Sequence, residues 1–441
     1  MTNAELVRAG EKVARRLADA GNRALFAGGF VRDKVLGRTP QDIDIATSAK
    51  PEEVQQLFEN AIPVGVEFGV IKVFEGGHAF DVATFRTEGA YEDGRHPDHV
   101  EFAGEREDAE RRDFTINGMF YDPLTGETID HVGGMDDLER KLVRTVGDPL
   151  KRFDEDKLRM LRAIRFAASL QFEIESKTHE AIGAMANRIH DTSWERIGDE
   201  ISRILVEGGA RRGFELMKET GLLNEVLPEV HAMAGVPQPP DFHPEGDVFE
   251  HTMLTLEKME APSVGLALGV LLHDVGKPLT YRVAERVRFD NHDKVGASSA
   301  YKICRRLKRS RRLMEQVSYL VRHHMRFKDA KEMRESTLRR FFSEEHFLEL
   351  LDLYRLDCLA SHGKLDVWEF CRDKLAEYEH EPIRPEPLLG GNDLIQLGYQ
   401  PGPEFGKILE TVEDAQLEHR ISTKAEAEKL VLQSFPKQSS S

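Results

Sequence analysis

The sequence predicts an α+β fold: a small mixed sheet forms an N-terminal head, and an all-α neck, body and tail follow it. Two patterns and one bulk property carry that expectation. Short apolar runs at residues 24–27, 69–74 and 79–85 are separated by glycine turns and brief helical stretches, as in a sheet with flanking helices. From about residue 151 the apolar positions recur at helical spacing instead. A chain of 441 residues, 40% hydrophobic and 32% charged, is long enough to bury more than one core.

Taken in order, residues 4–20 place Leu6, Val13 and Leu17 on one helical side, and Gly21-Asn22 ends the helix. Ala24-Leu25-Phe26-Ala27 can enter a sheet, and Gly28-Gly29 then lets the backbone approach a ligand with no Cβ in the way. A helix from about Phe30 would offer free N–H groups and Arg32 to a phosphate. In Asp42-Ile43-Asp44 the period of a strand puts both carboxylates on one face and sends Ile43 and Ile45 into the core. Paired carboxylates repel unless a cation lies between them, and hard oxygen ligands favour Mg²⁺. Pro51-Glu52-Glu53 opens a helix to Phe58, and two strands then turn about Gly76-Gly77, with Asp81 on one face of the second. Residues 87–99 are polar and read as a loop.

Helical character begins near Phe153. Asp156 and Arg159, three apart, would be neighbours on one helical face, either as a surface ion pair worth at most about 1 kcal/mol or as a pair that reads a base edge. A net charge of −17 excludes a chain that coats itself in nucleic acid by charge alone. Local basic stretches must serve instead, and two exist: Arg159, Arg162 and Arg165, and a run of seven Lys and Arg within residues 302–312. The proline-rich stretch 222–244 marks a domain junction. Beyond it, His251, His273-Asp274, His292, His323-His324 and Asp357 form an ordered series of imidazole and carboxylate groups suited to a divalent ion. The end of the chain reads as a helix, a Pro-Gly-Pro turn and another helix. Cys304, Cys358 and Cys371 show no C-x-x-C spacing, which points to a reducing cytoplasm. The longest apolar run, residues 264–272, is far short of the roughly 20 residues that span a bilayer, so no membrane partner is expected.

Gly28-Gly29-x-Val31-Arg32-Asp33, Asp42-x-Asp44 and Arg111-Arg112-Asp113-Phe114-Thr115-Ile116-Asn117 together resemble the polymerase-beta-like nucleotidyltransferase superfamily, and within it the bacterial tRNA nucleotidyltransferase and poly(A) polymerase family. The resemblance implies that Asp42 and Asp44 are catalytic ligands of Mg²⁺ and that Gly28, Gly29 and Arg32 hold a triphosphate. It implies sugar and phosphate contacts from Arg112, Asp113 and Asn117, and a third carboxylate from Asp81. Glu155-Asp156-x-x-Arg159 resembles the family's E-D-x-x-R block, which selects C and A, with Arg162 and Arg165 on the same run; Glu195-Arg196 and Glu200 resemble its supporting helix. The histidine series resembles an HD-type metal-dependent phosphohydrolase, with His251, His273, Asp274 and Asp357 as primary ligands of a divalent transition metal or Mg²⁺. His292 would hold a second ion with one of His323 and His324, His323 being the expected partner.

The implied function is template-independent addition of CCA to tRNA 3′ ends from CTP and ATP, with added phosphohydrolase activity. The domains expected are a head at 1–150, a neck at 151–240, an HD body at 241–375 and a tail at 376–441 that contacts tRNA. Poly(A) synthesis and A-only addition are the rivals. The G-R-R-F signature of bacterial poly(A) polymerases is absent, with residues 63–69 in its place, and the 87–99 loop, which in the resembled family helps switch addition from C to A, weighs against an enzyme that adds only CC. An HD phosphohydrolase with an RNA-binding head, or a non-catalytic tRNA-binding protein, would not need the intact aspartate pair.

Overall fold

A computed structural model of the chain describes residues 3–65, 69–88, 100–239, 246–285, 287–380 and 382–436. Most of the loop at 87–99, part of the 63–69 stretch, Pro240, Pro244 and the last five residues lie outside these. The chain divides into two compact units, Met1–Ala232 with Arg306–Arg309, and Met233–Arg305 with Ser310–Ser441. The boundary falls within the proline-rich stretch.

The first unit is built on a seven-stranded mixed sheet in the order Ala61–Gly65, Val70–Glu75, His78–Thr84, Asp44–Thr47, Ala24–Ala27, Phe120–Tyr121, Thr128–Ile129. Asp44–Thr47 and His78–Thr84 run parallel, and the other neighbours are antiparallel. The helix Asn3–Asp19 packs against the sheet through Val13, Ala14 and Leu17, all buried, as its apolar spacing predicts. Gly76 and Gly77, with φ of 58° and 81°, form the turn between the two central hairpin strands.

The neck departs from the expected single helix. Residues Pro149–Glu155 and Leu158–Leu170 are separate helices, and Asp156 between them is extended, with φ −145° and ψ 108°. Asp156 therefore does not share a helical face with Arg159. The break has a local cause: the Asp156 carboxylate accepts from the backbone N–H of Leu158, a competition for the helical pattern that Asp side chains offer. A short parallel strand pair, Leu142–Val143 with Glu173–Ile174, joins head and neck. Of the basic run at 302–312, Arg306 is bound by Glu229 and Arg309 by Asp199, so both are consumed inside the first unit.

The second unit is helical except for one hairpin, Tyr281–Val283 with Val287–Phe289, which the all-α expectation did not include. Its tail holds three helices, Gly391–Gln396, Pro403–Leu417 and Lys424–Ser434, one more than expected. Leu394, Ile408, Val412, Ala427 and Val431 close a small core of their own there.

Candidate nucleotide and metal sites

Two carboxylates meet at the edge of the head sheet. Asp44 opens its strand and Asp42 precedes it by two residues; both are exposed, while Ile43 and Ile45 are buried. The parallel register sets Asp81 beside Asp44, and Lys72 on the next strand holds Asp81 at 2.5 Å. Asp44 opens onto a cleft but is walled by protein on its other sides. That burial, and then the charge of Asp42, push its carboxyl up to about 6. Carboxylates so crowded fit a hard divalent cation, and Asp42 with Asp44 would hold it.

This crowding has a measurable cost in the metal-free protein. A carboxyl raised above its unfolded value leaves the folded state unburdened below about pH 4 and destabilises it progressively as pH rises to about 6. The Tm advantage of Asp44→Asn over the native chain, measured with chelator present, is expected to grow between pH 4 and 6 and to level above. Screened by solvent, the effect should reach about 1 kcal/mol, or about 2–4 °C.

The carboxylates border a cleft of about 960 Å³ within the first unit. Gly28, Gly29, Arg32, Asp42, Asp44, Arg112, Asp113, Asn117, Asp156, Arg159, Arg162 and Arg165 all line it, whereas Asp81, anticipated as a third carboxylate, is not among the lining residues and is paired with Lys72. Nine arginines and six carboxylates form its wall, a local excess of positive charge in an acidic chain. Gly28 has φ 65°, and a Cβ there would stand 3.3 Å from Arg112 Nη1.

The arginines are held in place by other side chains. Arg32 donates to Asn117 Oδ1 and Asp33 Oδ1, both at 2.9 Å, and lies over the Phe166 ring. Arg112 donates to Asp108 Oδ2 at 3.2 and 3.0 Å, and Arg111 donates to the other oxygen of the same carboxylate. Burial would raise the Asp108 carboxyl, but the two guanidiniums overcome it and hold it below the usual range. The sequence reading missed Asp108, although it stands three and four residues before Arg111 and Arg112 at the start of that block. Asp113 receives Arg162 through Nε at 2.9 Å and Nη2 at 2.6 Å, and so serves as an anchor for Arg162 as well as a lining residue.

Asp156 and Arg159 reach the cleft by different supports. Arg196, from the helix Trp194–Val206, grips Asp156 through both oxygens at 3.1 and 2.7 Å. Arg159 donates to Glu155 Oε2 at 2.6 Å and to the Arg152 carbonyl at 3.0 Å. From the same helix, buried Glu200 accepts from Arg165 Nε at 2.5 Å. The helix resembling a supporting element thus bonds directly to two of the cleft residues.

The second unit gathers the histidine series. His251, His273 and Asp357 form one group of convergent ligand atoms, and Asp274, His292 and His324 form another. His251 Nε2 lies 3.1 Å from Asp357 Oδ1, and His273 Nε2 lies 3.2 Å from Asp274 Oδ2. His273, His292 and His324 donate Nδ1–H to the carbonyls of Val270, Phe289 and Val321 at 2.8–2.9 Å, which turns each Nε2 lone pair inward. Burial, and then His273, lower His324 to about 4, so it is neutral near pH 7. This donor set fits a borderline divalent ion. His324 takes the place expected of His323. The ring of His323 instead leans on Tyr319, one helical turn back, at 4.6 Å, because the helix Arg311–His323 ends there and only the next residue turns inward. Lys277, unanticipated, places Nζ 2.6 Å from Asp274 Oδ2; with Lys277 and His273 beside it, the Asp274 carboxyl stays well below the usual range despite its burial.

A mixed sheet that presents two carboxylates to an arginine-lined cleft is the architecture of a nucleotidyltransferase head, here followed by an HD body. Family models agree: the Poly A polymerase head domain matches residues 24–144, the probable RNA and SrmB-binding site of polymerase A matches 171–233, and the HD domain matches 248–361. The CCA-adding enzyme of Lactococcus lactis subsp. cremoris is 32% identical over 425 residues, 93% of this chain and 92% of that one. The chain belongs to the CCA-adding enzyme family. Its match to the Lactobacillus johnsonii CCA-adding enzyme is 43% identical but takes in only about half of each chain, 50% of this one and 56% of the relative. The Bacillus stearothermophilus CCA-adding enzyme, solved in complex with CTP, superposes with a TM-score of 0.75 at 26% identity over 97% of both chains. The Thermotoga maritima CCA-adding enzyme, solved with tRNA, shares the fold with a TM-score of 0.61 at 20% identity.

Proposed function

We propose that this protein adds CCA to the 3′ ends of tRNA from CTP and ATP without a nucleic-acid template, in the cytoplasm. The observation that carries this reading is the single cleft in which the Asp42 and Asp44 carboxylates, the arginines and the Asp156 and Arg159 pair are brought together. Arg32 and Arg112, fixed by Asn117 and Asp108, neutralise a triphosphate laid against Gly28 and Gly29, whose missing side chains let it approach the backbone. Asp42 and Asp44 would hold Mg²⁺, which when bound supplies the charge that steadies the attacking and leaving oxygens. Asp156 accepts from the exocyclic amine that C and A present and that U and G lack at the corresponding position, while Arg159 donates to the ring edge. Arg196 aims the acceptor.

Addition of labelled CTP and ATP to tRNA lacking CCA, tRNA ending in CC and an unrelated RNA tests the proposal. Short, tRNA-restricted products are expected, and long A tails on all three RNAs would overturn it. In the same assay Arg196→Ala should lower the preference for CTP over UTP by about tenfold, since loss of one aiming contact is worth ~1–2 kcal/mol in the transition state.

We also propose that the HD cluster is a phosphohydrolase centre. His251, His273, Asp274, His292, His324 and Asp357 would hold a divalent transition metal or Mg²⁺, which when bound activates water against a phosphoester. Asp274→Ala is expected to remove metal-dependent phosphatase activity while leaving nucleotide addition at the native rate; equal loss of both would make the HD region structural.

A further inference from the structure

The hairpin between the HD ligands carries an arrangement that its own fold does not favour. Tyr281–Val283 pairs with Val287–Phe289 so that Arg282 stands directly opposite Arg288. Both are exposed, and neither forms a salt bridge among the described residues. Like charges placed opposite one another destabilise a strand pair. A hairpin that only closed the chain from Lys277 to His292 would gain nothing from them.

The other face alternates with the arginines. Tyr281 pairs with Phe289, their rings 6.0 Å apart, and Val283 pairs with Val287. Tyr281 is 37% exposed, and Leu279 and Val283 are each 70% exposed. The hairpin is also rooted in the metal-ligand cluster: the Phe289 carbonyl accepts from His292 Nδ1 at 2.9 Å, and Lys277 Nζ lies 5.3 Å from the centre of the Phe289 ring.

We propose that this hairpin binds single-stranded polynucleotide, with Arg282 and Arg288 on the phosphodiester backbone and Tyr281 against a base. Guanidiniums on one face of a narrow two-stranded hairpin and an accessible aromatic on the other are what a single strand passing over its edge can use, phosphates meeting charge and a base meeting a ring face. A free phosphate would need the charge but not the apolar surface. Resting on the phosphohydrolase reading above, the docking arm makes the substrate of the HD cluster the end of a polynucleotide rather than a mononucleotide.

Hydrogen exchange of the full chain, with chelator to prevent turnover, tests the docking itself. An eight-nucleotide oligo(A) at low salt should slow exchange across residues 281–289 in the native protein, and inorganic phosphate at the same concentration should not. Arg282→Glu places an acid opposite Arg288 and so keeps or raises Tm, yet it should abolish the protection. No protection by the oligonucleotide, equal protection in Arg282→Glu, or protection by an acidic peptide in place of the oligonucleotide would each overturn the proposal. With metal restored, Arg282→Glu should lower the ratio of kcat/KM on a phosphate-terminated oligonucleotide to that on a mononucleotide by about tenfold. Protection without hydrolysis of either substrate would support the docking site and remove the phosphohydrolase reading.

Discussion

Asp42→Ala is expected to reduce nucleotide addition at least about a thousandfold, equivalent to ~4 kcal/mol of transition-state stabilisation, while metal-dependent hydrolysis by the HD cluster is unchanged. Single-turnover addition of CMP to tRNA lacking CCA measures it. Asp42 is exposed and precedes its strand, so its removal should leave the thermal transition near that of the native chain. A folded Asp42→Ala protein that retains a tenth of the native rate would refute the assignment of the aspartate pair as the metal site.

The second large effect is on stability. Arg165 and Glu200 are 4% and 5% exposed, and the guanidinium reaches Glu207 with its other arm at 2.7 Å. Glu200→Ala leaves a buried cation with one partner, a change that costs about 3–5 kcal/mol. Urea denaturation of the first transition should read that loss, and an accompanying fall in nucleotide addition follows because Arg165 also lines the cleft. Arg165→Met combined with Glu200→Leu should recover most of the stability and none of the activity. A cost below about 1 kcal/mol for Glu200→Ala would mean that the pair does not hold the neck together.

The parts of this site that were legible in the sequence are those governed by local periodicity. The alternation at Asp42-Ile43-Asp44 and the glycine turn at 28–29 depend on neighbours along the chain, and the structure keeps them as the spacing implied. The Asp156 and Arg159 relation was misread because a helical period was extended through a residue whose side chain competes for the backbone. His323 and His324 are adjacent and chemically identical, and only the end of a helix decides which ring turns inward. Lys72 and Lys277 were not legible as contributors, since each matters through the carboxylate that pairing or a helical turn brings beside it. The tail's third helix was overlooked because its core, with Val431 buried against Ile408 and Leu394, is assembled from distant positions.

The three carbonyl contacts of the HD histidines each run from a ring to the residue three positions earlier in the chain. Every one of those rings is therefore oriented by its own stretch of backbone, before any ion arrives. Where small metal domains gain their fold from the metal, these three of the six ligands are oriented without it. An ion entering the cluster would meet three imidazoles already aimed, so its binding would not carry the cost of ordering those rings.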